Sequence, residues 1–386
     1  MGARPKVLLV DDEPFNLDYL AQELEDREVE LLTAANGQEA LDAAAQHHPA
    51  LIFLDIMMPL MDGFTVLQRL KADPQLNSIP VVIISAANDL PSVVKGIELG
   101  AEDFLPKPFN PVLLHARLNA GLEKKRLREI ERRYLESLER ELKIGRDIQA
   151  GFLPKTIPQP PGWEIAALFL PAREVAGDFY DVFELENGRL ALLIGDVTDK
   201  GVGAALYMAL FRSLLRAAMM MNAFSDSDAT PEKRLQPVVT LVNRYLCQVH
   251  ESPMYATLFF GVLDTHSGLL TYVNAGQDSP YVLRDGVVHE KIKATGMLVG
   301  AIGDAEYHSR TLTLEQGDTL VLYSDGITDA QDPAGAAFEQ ARWQELLRQP
   351  VPASRKHIEH LIEAVVNHMG DAPQYDDISL VTVRRA

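Results

Sequence analysis

Short apolar runs alternate with amphipathic stretches over the first third of the chain. The runs KVLLV (6–10), LLTA (31–34), LIFLD (51–55), VVIIS (81–85) and DFLPK (103–107) lack regular polar alternation. They predict strands buried on both faces. Between them, residues 14–27, 37–47, 63–72 and 91–99 carry apolar positions at helical spacing and predict helices. Alternating strands and helices predict an α/β doubly wound parallel sheet, with ligands beyond the carboxyl ends of its strands. From Pro111 to about Ile148 no internal proline occurs, and the stretch is dense in Glu, Lys, Arg and Leu, which predicts one long helix. The Pro-rich IPQPPG (157–162) marks a point beyond its end.

After residue 163 the pattern changes to strands joined by turns. Strand-like runs lie at 189–197, 256–264, 269–276, 278–286, 309–326 and 377–385, with apolar helices at about 203–222, 235–250 and 354–369. Many antiparallel strands with segregated helices predict an α+β sandwich. The 386 residues suit two or three domains. The boundaries drawn are 1–120, a helical linker at 121–155, and 156–386.

Charge narrows the function. Lys plus Arg total 36 against 55 Asp plus Glu, for a net charge of −19, and such a surface argues against nucleic acid as a partner. The single cysteine, Cys247, excludes a disulfide framework or a cysteine-built zinc site. Arg212 and Arg216 interrupt the longest apolar stretch, 204–221, which is expected in a core and not in a membrane. A cytoplasmic protein is expected.

The candidate chemistry of the first domain sits at strand ends. Asp11 and Asp12 follow the first strand, Asp55 ends the third, Ser85 the fourth and Lys107 the fifth. Three converging carboxylates repel one another unless a cation joins them, and all-oxygen ligation suits Mg²⁺. A carboxylate such as Asp55 can attack a phosphoryl group, with Ser85 and Lys107 placed to meet phosphoryl oxygens. Pro108 after Lys107 invites a cis peptide that would aim the lysine. The set VDDEP, FLDIMMPLMDG, ISA and LPKPF, in this order and spacing, resembles the receiver domain of bacterial two-component response regulators over about residues 5–120. The resemblance implies that Asp55 is the phosphoacceptor and that Asp11, Asp12 and Asp55 bind Mg²⁺. It further implies that Ser85, Phe104 and Lys107 read the phosphorylated state, and that a cognate histidine kinase or other phosphodonor supplies the phosphoryl group.

In the linker, Leu122, Leu127, Ile130, Tyr134, Leu138 and Leu142 recur at steps of three, four and five, and no single heptad register holds all six. Two readings stand: a coiled coil that makes a homodimer, and a solvated helical spacer laced with ion pairs.

In the second domain, carboxylates again end apolar runs beside glycine: Asp178 in VAGDFYD, Asp196 in IGDVTDKG, Asp325 in YSDGITDA, and Asp376 with Asp377 in YDDISL. Hard oxygen ligands without nearby His or Cys favour Mg²⁺ or Mn²⁺ over zinc. The segments GDFYD, GDVTDKG, NAG, YSDGITDA and DDISLV resemble the metal-dependent protein phosphatase (PPM, type 2C) superfamily, in its stage II sporulation protein E-like branch, over about residues 150–386. The resemblance implies two packed antiparallel sheets flanked by helices and a dinuclear Mn²⁺ or Mg²⁺ site. By position, Asp178, Asp196, Asp325 and Asp376 would be the catalytic carboxylate ligands, with the backbone carbonyl of Val197. Asp181 and Asp377 either support ligands or substrate from behind or are simple turn residues.

Three positions depart from the branch: Ala176 replaces a glycine, NAGQ has Gln277 where histidine is usual, and TDA replaces TEA. Arg173 and Lys200 lie beside the metal motifs, either facing solvent or meeting a phosphate. The combination resembles regulators of partner-switching pathways. It implies dephosphorylation of Ser or Thr on a STAS-type anti-anti-sigma protein, with the opposing kinase on another protein. The alternative is a catalytically inactive phosphatase-like scaffold that binds a signalling partner.

Overall fold

A computed structural model describes residues 4–86, 89–221, 230–249, 254–349 and 354–386. The chain divides into two compact units, Met1–Leu138 and Glu139–Ala386.

The first unit runs β1 (Lys6–Val10), α1 (Pro14–Leu24), β2 (Glu30–Ala34), α2 (Gly37–His47), β3 (Leu51–Asp55), α3 (Gly63–Ala72), β4 (Val81–Ala86), α4 (Leu90–Glu98) and β5 (Asp103–Lys107). The strands pair in parallel in the order β2-β1-β3-β4-β5. Period-two alternation divides each strand between two cores. Leu8, Val10, Ile52, Leu54 and Ile83 face α2 and α3 through Ala40, Ala44, Val66 and Leu70. Val7, Leu9, Phe53, Val82 and Ile84 face Leu20 and Leu24 of α1 and Leu114 and Leu118 of the next helix. That helix, α5, runs Pro111–Ala150. Helix α1 stops at Leu24, three residues short of the sequence expectation.

The second unit continues with β6 (Trp163–Leu170), β7 (Phe179–Leu185), β8 (Arg189–Val197), α6 (Val202–Met220), α7 (Pro231–Val249), β9 (Ala256–Asp264), β10 (Leu269–Ala275), β11 (Tyr281–Arg284), β12 (Val287–Lys291), β13 (Arg310–Thr313), β14 (Thr319–Tyr323), α8 (Gln340–Leu347), α9 (Ser354–Met369) and β15 (Ile378–Arg385). Two antiparallel sheets result, ordered β13-β10-β9-β8-β7 and β12-β11-β14-β15-β6. They pack face to face through Ile165, Leu192, Phe259, Leu270, Leu322 and Val383. The outer face of the first sheet, including Phe179, Leu193 and Phe260, is covered by α6 and α7. The outer face of the second, including Tyr281, Tyr323 and Leu380, is covered by α8 and α9. The layers are therefore helix, sheet, sheet, helix.

Helix α6 is long and apolar enough to cross a membrane by length and composition. Here its Met208, Phe211, Leu215 and Met219 are fully buried against the first sheet, as an apolar helix packed on a core requires.

Candidate active site

Both units gather acids at strand ends. In the first, one carboxylate oxygen each from Asp11, Asp12 and Asp55 lies within 4.8 Å of the others. Lys107 Nζ stands 2.8 Å from Asp11 Oδ2 and 2.8 Å from Asp55 Oδ2. Burial and the neighbouring Asp11 push the Asp55 carboxyl up, although Lys107 opposes them. Burial would lower the lysine, but its bonds to Asp11 and Asp55 outweigh that and raise it.

Asp11 Oδ1 accepts from the Glu13 N–H and from Asn16 Nδ2, each at 3.0 Å, which fixes the first acid loop. The Lys107–Pro108 peptide is cis. Ser85 is buried with no hydrogen-bond partner for its hydroxyl, one residue past the β4 neighbour of Asp55. Phe104 is half-buried, with the Arg117 guanidinium 6.0 Å from its ring centre. Gly63 is required behind Asp55, because a Cβ there would lie 2.2 Å from the Asp55 carbonyl oxygen.

In the second unit, the two sheets present acids at the same end. Asp178 enters β7 opposite the end of β8 that carries Asp196, since Phe179 pairs with Gly195. Asp325 leaves β14, and Asp376 and Asp377 enter the adjacent β15. Asp377 ties the sheets together: its carboxylate accepts the Ala172 and Gly177 N–H groups, each at 2.8 Å. Gly326 admits no side chain, because a Cβ would lie 1.9 Å from the Asp377 carbonyl oxygen.

Crowding raises the proton affinity of Asp178, Asp196 and Asp325. Burial and the charge of Asp196 raise Asp178 far above the usual carboxylate range. Burial, then Asp325 and Asp376, pushes Asp196 up to about 7. Burial, then Asp278 and Asp376, pushes Asp325 up to about 6. These are carboxylates that lack enough positive charge around them. Asp178 Oδ2 is buried with no hydrogen-bond partner. An orphaned carboxylate oxygen in an all-oxygen donor set fits hard divalent cations. Among the described residues only the receiver trio closes to within 4.8 Å. The second set is spread wider, as ligands shared between two cations can be.

Comparison with known proteins identifies both parts. Residues 186–386 match the family model for stage II sporulation protein E (SpoIIE), just over half of the chain. The chain belongs to the SpoIIE family. Residues 7–119 match the response regulator receiver domain. Protein IcfG of Synechocystis is 37% identical over 262 residues, 64% of this chain, which spans 41% of the length of that relative. Phosphoserine phosphatase RsbU of Bacillus subtilis is 28% identical over 254 residues, covering 65% of this chain and 71% of RsbU. The solved SiaA PP2C domain of Pseudomonas aeruginosa superposes with a TM-score of 0.55 at 22% identity, over 65% of this chain and 98% of that one, a likeness of fold.

Several residues of this SpoIIE-family unit lie in roles that sequence reasoning did not assign. Gln277 is a tie: its Nε2 donates to the Tyr323 carbonyl at 2.9 Å, and its Oε1 accepts from the Thr257 hydroxyl at 2.7 Å. Thr257 in turn accepts the Asp196 N–H at 3.2 Å. The side chain thus joins the strand ends that carry Asp196 and Asp325. Gln149, near the end of α5, clamps Ala176 through both main-chain groups, at 2.6 and 3.0 Å, two residues before Asp178. Asp278 and Asp329 join the acidic field, and burial followed by Asp329 raises Asp278.

Lys200 Nζ meets Asp376 Oδ2 at 2.8 Å and donates to the Tyr375 carbonyl at 3.0 Å. With Arg173 it lines a cavity of about 790 Å³ beside the acids. Asp181, expected to support ligands or substrate, stands elsewhere. It shares a face of β7 with Phe179 and Phe183, toward α6, where Arg212 and Arg216 hold it at 2.8 and 2.9 Å. The Val197 carbonyl, expected as a ligand, lies beside Gly177, where a Cβ would approach it to 2.8 Å.

Proposed function

We propose that this chain is a metal-dependent protein serine/threonine phosphatase whose output is set by phosphorylation of its receiver at Asp55. The observation that carries the reading is the convergence of Asp178, Asp196, Asp325 and Asp376 from two sheets onto one end of the sandwich. The raised proton affinities of Asp178, Asp196 and Asp325 record unmet negative charge. These four, with the Val197 carbonyl, would hold two Mn²⁺ or Mg²⁺ ions. When bound, such ions supply electrophilic charge to phosphoester oxygens and make a neutral-pH water nucleophilic. The protein's own residues do the rest. Asp377 and Gln277 fix the loops that carry the ligands. Lys200 and Arg173, which line the adjoining cavity, are placed to take phosphate oxygens and orient a phosphoserine chain.

In the receiver, Asp11, Asp12 and Asp55 would hold one Mg²⁺. The Asp55 carboxylate takes the phosphoryl group from a histidine kinase or a small phosphodonor. Lys107 neutralises one phosphoryl oxygen, the unpartnered Ser85 hydroxyl donates to another, and Phe104 repacks with it. The functional parts are drawn at 1–120, 121–155 and 156–386, with the linker helix passing the change between them. Leu127, Ile130, Tyr134 and Leu138 are exposed along α5 and offer a seam to a second copy, as a homodimer. Leu122 packs on the receiver core and is not available to that seam. Likeness to phosphoserine phosphatase RsbU supports phosphoserine as the group removed. The substrate proposed is a STAS-type protein of a partner-switching pathway.

The test is hydrolysis of a phosphoserine STAS-type protein with Mn²⁺ or with chelator, and with Asp325→Ala. Turnover that needs the metal and is lost in the variant is expected. Turnover in chelator, or an unimpaired variant, would overturn the metal assignment. Binding of the phosphoprotein without any turnover would make the chain a scaffold.

A further inference from the structure

A second charged feature lies at β7, an edge strand that among the described residues pairs with β8 alone. Asp181 is fully buried there, and two arginines one turn apart on α6 share it. Arg212 Nη2 lies 2.8 Å from Oδ2, and Arg216 Nη1 lies 2.9 and 3.0 Å from the two oxygens. One carboxylate between two guanidinium groups leaves a charge of +1. Arg212 is only 9% exposed, and its Nε has no hydrogen-bond partner. Burial and the adjacent Arg216 weaken its hold on its proton in spite of Asp181. A buried cation with an unmet donor is costly, and its demand exceeds what Asp181 supplies.

Both arginines line an open cavity of about 790 Å³. Its other walls come from β7 and from residues 151–158, and they add Lys155 and Glu184. Summing the five charges, three positive and two negative, the cavity is net +1 on a chain of −19. The ring of Phe183 lies under the Arg216 guanidinium, 4.5 Å away, and holds that fork in place. A preset guanidinium fork beside a lysine suits oxyanions, phosphate above all. The volume exceeds what inorganic phosphate needs and leaves room for an organic group.

We propose that this cavity binds a small phosphate-bearing molecule, taken by Arg216 and Lys155 with Arg212 behind them. The site is separate from the acidic cluster and does not depend on its hydrolysing anything.

Calorimetric titration of the full chain tests it, in chelator so that no divalent cation brings phosphate to the acids. The probes are inorganic phosphate and a nucleoside monophosphate. Saturable one-to-one binding is expected. It should weaken about tenfold in Arg216→Gln and about threefold in Lys155→Gln, the size of lost charge-assisted contacts. Lys6→Gln, on β1 of the first unit, should bind as the wild type does. Arg216→Gln leaves Asp181 paired with Arg212, and Lys155→Gln leaves the whole trio intact, so one variant stays informative if the other misfolds. Tighter binding of the nucleotide assigns the site to a phosphorylated metabolite, and equal binding assigns it to the phosphate group alone. No saturable binding of either probe, or affinity unchanged in both variants, would overturn the proposal and leave the trio as an internal ion pair.

Discussion

Gly326 shows how tightly single residues hold the acidic end. A methyl group there would lie 1.9 Å from the Asp377 carbonyl oxygen, so Gly326→Ala must separate the loops carrying Asp325 and Asp376. A loss of about 2–4 kcal/mol by denaturant titration is expected, together with weaker Mn²⁺ binding. Gln277 offers a gentler probe. Gln277→Ala removes the tie between Thr257 and Tyr323. Gln277→His, which keeps a donor and an acceptor, should retain more cation affinity than the alanine variant.

His357 reports chiefly on burial. Burial, then the charges of His360 and Arg384, pushes it down to about 4, against an ordinary 6.5. The unfolded chain therefore takes the proton first, and stability is lost as pH falls from about 6.5 to about 4. The wild type should lose up to about 3 kcal/mol over that window relative to His357→Leu, read from paired denaturation curves.

At the scale of elements, the strands of the first unit were legible because burial on both faces leaves unbroken apolar runs. The linker helix was legible because nothing in it breaks a helix. The losses have local causes. The run 309–326 read as one strand, yet it divides into β13 and β14 around Gly317, whose φ of +91° turns the chain. Helix α8 has eight residues and follows Glu339 at φ +65°, so neither length nor a side-chain cap announced it. Strand β7 hid inside the acidic motif, and with it the fact that Asp181 points toward α6.

Gln149 ties the linker helix to the acidic end of its own unit. Gln149→Ala leaves the Ala176 N–H and C=O without partners and should cost about 2 kcal/mol and lower Mn²⁺ affinity. A four-residue insertion near Ser137 turns the two ends of α5 by a net of about 40°. Response to receiver phosphorylation should fall, and an undiminished response would rule out rigid helical transmission.

For the whole molecule, the acids of both sites were legible because residue type and strand-end position survive in sequence. Among their supports Asp377 was expected from its place beside Asp376, but Gln277, Asp278 and Asp329 were not, because they act only once two sheets are stacked. The same stacking sets the pH behaviour. Asp196 and Asp325 hold protons to about 7 and about 6. Their folded values exceed the unfolded ones, so without divalent cations their contribution to stability is greatest below about pH 4 and is lost as pH rises through about 7. A cation displaces those protons, so its binding strengthens with pH. The rise in Tm on adding Mn²⁺ should therefore grow from pH 6 to pH 8.

The central claim is that one phosphoryl group on Asp55 sets the rate at the second acidic site. The most direct measurement compares Mn²⁺-dependent dephosphorylation of a phosphoserine protein with and without a small-molecule phosphodonor, in the wild type and in Asp55→Asn. The account predicts a rate that changes with phosphodonor in the wild type and stays constant in the variant. Equal rates with and without phosphodonor in the wild type would contradict it.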